Sequence, residues 1–191
     1  MAICKYVNKS YPTQKDFYNL LQYCMNSHKN ARYNFKLICD CPLTQYNKIL
    51  HMGMRWVYYH KYFHKSNRTF CYHYVLAFDL DNEYKQLKKI SVDLLEYLII
   101  QLPVFEDANV FISAHIRDDG IPLHFHILVD SINSRTGHCT YIDIEKFKCQ
   151  IGELLADYSI AVAGYSYRNM VGIMKLGKCA PSDLYEDSYW C

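Results

Sequence analysis

The chain has 191 residues, a length that suits a single domain with a sizeable core. No stretch is long and apolar enough to span a membrane, and the first residues lack the charged-then-apolar form of a secretory signal. The nine cysteines are scattered, odd in number and without a Cys-x-x-Cys pair, which argues against a disulfide framework or a zinc knuckle. These features predict a reduced, cytoplasmic protein.

The formal net charge is only +2, but the charges are unevenly distributed. No acidic residue lies between Cys41 and Phe78, and aromatic residues are interleaved with the basic ones there. Basic groups neutralise phosphates and aromatic faces stack unpaired bases, so we predict that this stretch contacts DNA through Lys61, Lys65 and Arg68. The alternative is an amphipathic helix with a solvated basic side, and one helix can serve both purposes.

Hydrophobic periodicity predicts a mixture of strands and helices along the chain. In order, we predict a strand over Ala2–Val7, a helix from Thr13 to about Ser27, an irregular or extended segment over Tyr33–Cys41, a helix over Thr44–His64, a strand over Arg68–Asp79, a helix over Glu83–Leu102, strands over Asn109–His115 and Leu123–Ile132, and a helix over Asp143–Tyr158. This order predicts an α+β fold, with an antiparallel central sheet, helices packed mainly on one face and histidines on the other. We assign residues 1–160 to this domain and residues 161–191 to a C-terminal extension packed on it.

Three histidines lie in two of the predicted strands. Because side chains alternate along a strand, His124 and His126 point to the same face, while Phe125, Ile127 and Val129 point to the other. If the strand that ends at His115 pairs with this one, three imidazoles meet on one surface, enough to bind a divalent ion with open coordination positions. The alternative is a set of ordinary surface or hydrogen-bonded histidines.

The segment Ala114-His-Ile-Arg-Asp-Asp-Gly-Ile-Pro-Leu-His-Phe-His-Ile-Leu-Val-Asp-Ser-Ile-Asn-Ser-Arg-Thr-Gly137 resembles the metal motif of plasmid mobilisation relaxases of the MobA/VirD type (MOBP group), which are HUH endonucleases. Two further segments match this family in the expected order. One is the predicted first helix, with Tyr23 before an Asn-x-x-Lys turn, and the other is the Tyr72–His73 strand. Two residues depart from the family pattern, Ala77 where serine is common and Asp130 where asparagine is usual.

The resemblance implies a mechanism and a set of site residues. Tyr23 would be the nucleophile that forms a 5′-phosphotyrosine link when one DNA strand is nicked at an origin of transfer, with or without a hairpin. The ligands of a divalent metal, Mn²⁺ or Mg²⁺, would be His115, His124 and His126. Asp118 (or Asp119) and His73 would support them. Accessory relaxosome and coupling proteins would be the partners.

Two other functions are compatible with these residues. A rolling-circle replication initiator or a single-tyrosine transposase typically places its tyrosine after the histidine motif, which would make the nucleophile Tyr158, Tyr165 or Tyr167. A non-catalytic DNA-binding protein could keep the same fold. A covalent DNA adduct distinguishes an enzyme from a binding module, and the residue that carries the adduct distinguishes a relaxase from a replication initiator.

Overall fold

A computed structural model describes residues 2–7, 10–26, 32–36, 48–65, 69–78, 92–115, 123–157, 168–169 and 172–173. The helices are α1 (Gln14–Asn26), α2 (Lys48–Tyr62), α3 (Val92–Ile100) and α4 (Ile144–Ala156), with a 3₁₀ turn at Pro103–Phe105. The strands are β1 (Ala2–Val7), β2 (Arg32–Lys36), β3 (Cys71–Phe78), β4 (Val110–His115), β5 (His124–Asp130), β6 (Arg168–Asn169) and β7 (Gly172–Ile173). Among these residues, no helix is long and apolar enough to cross a membrane.

Five strands form one antiparallel sheet in the order β1-β3-β5-β4-β2. The predicted α+β fold with an antiparallel central sheet is therefore confirmed. Within residues 161–191, only the short pair β6–β7 is described, so the predicted C-terminal extension stays a prediction.

Two hydrophobic cores lie on opposite faces of the sheet, as the alternation of side chains along the strands requires. On one face, α3, the 3₁₀ turn and α4 cover the apolar side chains of the central strands, among them Ile112, Phe125 and Ile127. On the other face, α1 and α2 pack around Trp56, which is fully buried, and contact Phe111 and Leu128. The second core occupies the part of the histidine-bearing face that lies toward Asp130, while the three histidines lie at the other end.

The ends of two helices follow their sequence signals. Thr13 and Asp16 form a capping box at the start of α1, in which the Thr13 Oγ1 accepts from the Asp16 N–H at 3.1 Å and the Asp16 carboxylate accepts from the Thr13 N–H at 3.3 Å. Asp143 caps α4 by accepting the N–H groups of Glu145 and Lys146. The positions of α1 and α4 along the chain are thus fixed locally.

The turn after β5 explains why the Thr-Gly pair of the motif ends in a glycine, Gly137. The Asn133 side chain accepts the N–H groups of Arg135 and Thr136, which closes the turn. Gly137 has a φ of +70°, and a Cβ atom there would collide with the ring of Phe63. Only glycine satisfies both the backbone conformation and the close approach of the Phe63 ring, which follows α2 directly.

A buried hydrogen bond between a histidine and a carboxyl group connects α2 to the end of β5. His60 Nε2 lies 3.0 Å from Asp130 Oδ1, and neither side chain is exposed. Asp130 also accepts hydrogen bonds from the Asn109 side chain and the Ile132 N–H. Burial raises the pKa of the Asp130 carboxyl, and the hydrogen bond and charge of His60 oppose that rise.

We expect Asp130→Ala to lower the free energy of unfolding by about 3–5 kcal/mol, because it leaves three buried groups, the His60 ring, the Asn109 amide and the Ile132 N–H, without their acceptor. Urea unfolding measures this loss. The surface pair Lys148–Glu145, at 2.9 Å and with a partly exposed lysine, is the matched control, and Lys148→Ala should cost at most about 1 kcal/mol. Equal losses in the two variants would contradict a structural role for the buried pair.

Candidate active site and metal centre

Strand pairing brings the three predicted histidines together. His115 is the direct cross-strand partner of His124, and His126 follows on the same face of β5. Ring centroids are 4.9 Å apart for His115–His124, 4.5 Å for His115–His126 and 5.0 Å for His124–His126. All three rings are buried, and one nitrogen from each lies within 4.8 Å of the others.

The carboxyl end of α1 holds His115. The Cys24 carbonyl lies in the last turn of the helix, where carbonyl groups have no partner within the helix. His115 Nε2 lies 2.9 Å from this oxygen, and the Ser113 hydroxyl donates to the same atom. Because a carbonyl only accepts, Nε2 carries the proton of a neutral His115 and Nδ1 carries the lone pair. A backbone carbonyl in this role is the usual support of a metal-binding histidine.

His126 is held from the opposite side by His73 of β3. His73 Nε2 lies 2.8 Å from His126 Nδ1, and His73 Nδ1 lies 3.0 Å from the hydroxyl of Tyr11. The other ring nitrogen of His126, Nε2, is buried and makes no hydrogen bond to the residues that the structure describes. A buried imidazole nitrogen of this kind is suited to bind a cation.

The donor set fits a divalent transition-metal ion. Three neutral imidazoles give a partial coordination shell with open positions, which is the arrangement that metal-assisted hydrolytic and transfer reactions use. Cys24 lies close by, but burial raises the pKa of its thiol far above the usual value, so this thiol is neither a ready nucleophile nor a ready ligand.

Tyr23 lies against this cluster. Its ring meets the rings of His115 and His126 edge-on, with centroid distances of 5.7 Å and 5.3 Å, and its side chain is 38% exposed. Tyr18, the other tyrosine of α1, is half-buried, packs against Phe17 and lies beside Gly53 of α2. Of the two tyrosines, only Tyr23 has a ring contact with the histidines among the described residues.

The comparison with protein families agrees with this geometry. Residues 23–153, more than half of the chain, match the model of the MobA/VirD2-like relaxase nuclease domain. The chain belongs to this relaxase family. No curated protein and no solved structure matches the chain. The resemblance inferred from the sequence motifs is thus confirmed, and membership implies a relaxase that nicks DNA as an endonuclease.

Several predicted site residues lie outside the described part of this relaxase. They are Asp118 and Asp119, Arg68, and the alternative nucleophiles Tyr158, Tyr165 and Tyr167. The roles predicted for them stay predictions. His73 is described, and it contacts His126 and Tyr11.

Sequence reasoning missed three groups at the site of this relaxase: Tyr11, Ser113 and the carbonyl of Cys24. Ser113 had a signal, because it precedes His115 by two residues and therefore shares its face of β4. Tyr11 and the Cys24 carbonyl had none. Tyr11 lies before α1 in no regular element, and any residue type can supply a carbonyl.

Proposed function

We propose that this relaxase nicks and rejoins one DNA strand at an origin of transfer, in the cytoplasm, through a covalent 5′-phosphotyrosine link to Tyr23. A divalent ion held by His115, His124 and His126 would assist the reaction. The observation that carries the proposal is the contact of the Tyr23 ring with two of the three clustered histidines. Family membership supports the reaction class, and the same membership supports a role in plasmid mobilisation with accessory relaxosome and coupling proteins.

The proposed reaction exchanges one phosphodiester bond for another. The Tyr23 hydroxyl loses its proton and its oxygen attacks the phosphorus, the bond to the 3′ oxygen breaks, and that oxygen takes up a proton to become a free hydroxyl. The reverse attack by a 3′-hydroxyl rejoins the strand. A tyrosine has a pKa near 10 in water, so it is a weak nucleophile at neutral pH. A bound divalent ion would supply positive charge that stabilises the phosphate in the transition state.

The nature of the ligands favours Mn²⁺ over Mg²⁺. Magnesium prefers oxygen ligands in an octahedral arrangement, whereas imidazole nitrogens suit transition-metal ions, so cobalt, nickel or zinc could also occupy the site. Of the two ions named above, we expect Mn²⁺ to support activity better.

The outer side of α2 is the proposed path of single-stranded DNA. Tyr58 and Tyr62 are 59% and 62% exposed, and their rings stack with centroids 6.0 Å apart and an interplanar angle of 20°. Lys61 is exposed next to them, and Arg55 lies over the Tyr59 ring at 5.9 Å. Exposed aromatic faces beside basic groups on an acid-free helix suit the bases and phosphates of an unpaired strand.

Charge reversal on this side of α2 and just after its end should weaken DNA binding. We expect the double variant Lys61→Glu, Lys65→Glu to bind single-stranded DNA less tightly and to show a shallower dependence of affinity on salt, since fewer counterions are released. Fluorescence anisotropy over a salt series measures both quantities, and adding Arg68→Glu should extend the effect. Lys146→Glu on the exposed side of α4 is the control. An unchanged affinity and slope in the double variant would place the DNA elsewhere.

The experiment that tests the proposed function is a search for the covalent adduct. The protein is incubated with Mn²⁺ and a fluorescent single-stranded origin of transfer, and the products are separated on a denaturing protein gel. A labelled protein band supports the proposal, and peptide mapping should place the nucleotide on Tyr23. A nucleotide on Tyr158, Tyr165 or Tyr167 would favour a replication initiator or transposase instead, and binding without any adduct would favour a non-catalytic DNA-binding protein.

A further inference from the structure

A line of three buried side chains extends from the histidine cluster into the protein. It runs from His126 through His73 to Tyr11, with hydrogen-bond distances of 2.8 Å and 3.0 Å. The three residues are between 1% and 5% exposed. None of the three steps of the proposed reaction, attack, departure or rejoining, uses His73 or Tyr11.

The position of Tyr11 in this line is determined by its backbone. The Tyr11 N–H donates to Thr69 Oγ1 at 2.9 Å, and the Tyr11 carbonyl accepts from the Phe70 N–H at 2.9 Å. Both bonds tie Tyr11 to the segment that enters β3, three and four residues before His73. Burial raises the pKa of the Tyr11 hydroxyl, so it stays neutral and can both donate and accept.

A cation at His126 Nε2 requires one particular order of protons along this line. A neutral imidazole carries one proton, so a His126 that offers the lone pair of Nε2 carries its proton on Nδ1 and donates to His73 Nε2. His73 then carries its proton on Nδ1 and donates to the Tyr11 oxygen. In the opposite order, Tyr11 donates to His73 and His73 donates to His126, which leaves the His126 proton on Nε2, where it blocks the cation.

We infer that Tyr11 and His73 are positioning residues for the metal centre. They hold the His126 ring in the orientation that a cation at Nε2 needs, and His73 accepts the proton of the Nδ1-protonated tautomer that such a cation requires. Both proton orders keep the two hydrogen bonds of the line, and they differ in what His126 Nε2 carries, a lone pair in one order and a proton in the other. This inference rests on the proposed function, because it takes the histidine cluster to be a metal site.

The test measures Mn²⁺ affinity by isothermal titration calorimetry on the full chain without DNA. We expect His73→Leu to weaken binding by about 10- to 100-fold, the loss typical when the partner of a metal-binding histidine is removed. His73→Gln should restore most of the affinity, because its Oε1 atom is as many bonds from the backbone as Nε2 and accepts the His126 proton. Tyr11→Phe should weaken binding by about two- to tenfold, as expected for one neutral hydrogen bond. Tyr141→Phe, which removes a hydroxyl at an 85% exposed site, is the matched control and should bind like the parent.

A second measurement reports the tautomer directly. In ¹⁵N-imidazole NMR spectra with Zn²⁺ in place of the paramagnetic Mn²⁺, the parent and His73→Gln should show His126 protonated at Nδ1 and bound at Nε2. If Tyr11→Phe and His73→Leu both bind Mn²⁺ as tightly as the parent and keep this spectrum, the positioning role is wrong while the metal site stands. If the parent itself binds no Mn²⁺, or binds it equally well after His126→Ala, the proposed metal site is wrong.

Discussion

Tyr23→Phe is expected to abolish both nicking and the covalent adduct, with a loss of at least about 1,000-fold in cleavage rate, since removal of an attacking nucleophile costs at least this much. The substitution removes a single hydroxyl from a side chain that is 38% exposed, so the fold, the Mn²⁺ affinity and the affinity for single-stranded DNA should stay nearly unchanged. Cleavage is measured with a fluorescent origin oligonucleotide on a denaturing gel, and the two affinities by calorimetry and anisotropy.

Tyr18→Phe is the matched control for this experiment. Tyr18 lies on the same helix, but it packs against Phe17 and near Gly53 rather than against the histidines. Its variant should therefore keep the adduct. An adduct that persists in Tyr23→Phe would contradict the assignment of the nucleophile, and its mapped position would identify the residue responsible.

Replacing any one of His115, His124 or His126 with alanine is expected to abolish cleavage. Each substitution removes one of the three proposed ligands, so Mn²⁺ affinity should fall by more than the 10- to 100-fold typical of losing a supporting partner. In the parent, EDTA should stop cleavage and added Mn²⁺ should restore it, whereas Mn²⁺ should not rescue the alanine variants. Calorimetry gives the affinity and urea unfolding confirms that each variant is folded.

His138→Ala serves as the control for general histidine loss, because His138 is exposed in the turn after β5 and has no predicted role in the metal site. It should retain Mn²⁺ binding and cleavage. A triple-alanine variant of the three clustered histidines that binds Mn²⁺ as tightly as the parent would rule out the metal site. The cleavage result would then need an explanation without a bound ion.

The histidine cluster could be predicted from the sequence because strand geometry is local. A period of two residues places His124 and His126 on one face, and a short connection between two apolar strands predicts antiparallel neighbours, which brings in His115. The same reasoning applies to Tyr23, which falls beside the apolar stripe of an amphipathic helix whose start is marked by the Thr13–Asp16 capping box. These features depend on residues close together in the chain.

Apart from the supporting role of His73, which the family resemblance implied, the supporting contacts could not be predicted because they join distant parts of the chain. Tyr11 and His73 are 62 residues apart, the Cys24 carbonyl and His115 are 91 apart, and His60 and Asp130 are 70 apart. No periodicity links such positions, and each contact exists only after two elements have packed. The packing of α1 and α2 against the sheet in the second core could not be predicted either, because the sequence of neither helix indicates which face of the sheet it covers.

The bond from His115 to the Cys24 carbonyl also determines which changes the first helix can accept during evolution. The acceptor is a main-chain atom, so substitutions at position 24 preserve it as long as the new side chain fits the buried space. An insertion or deletion within α1 is different, because each residue turns the helix by about 100° and shifts it by about 1.5 Å. Such a change would displace both the acceptor of His115 and the Tyr23 ring at once. Descendants of this chain should therefore vary in the composition of α1 but not in the number of residues between its cap and Tyr23.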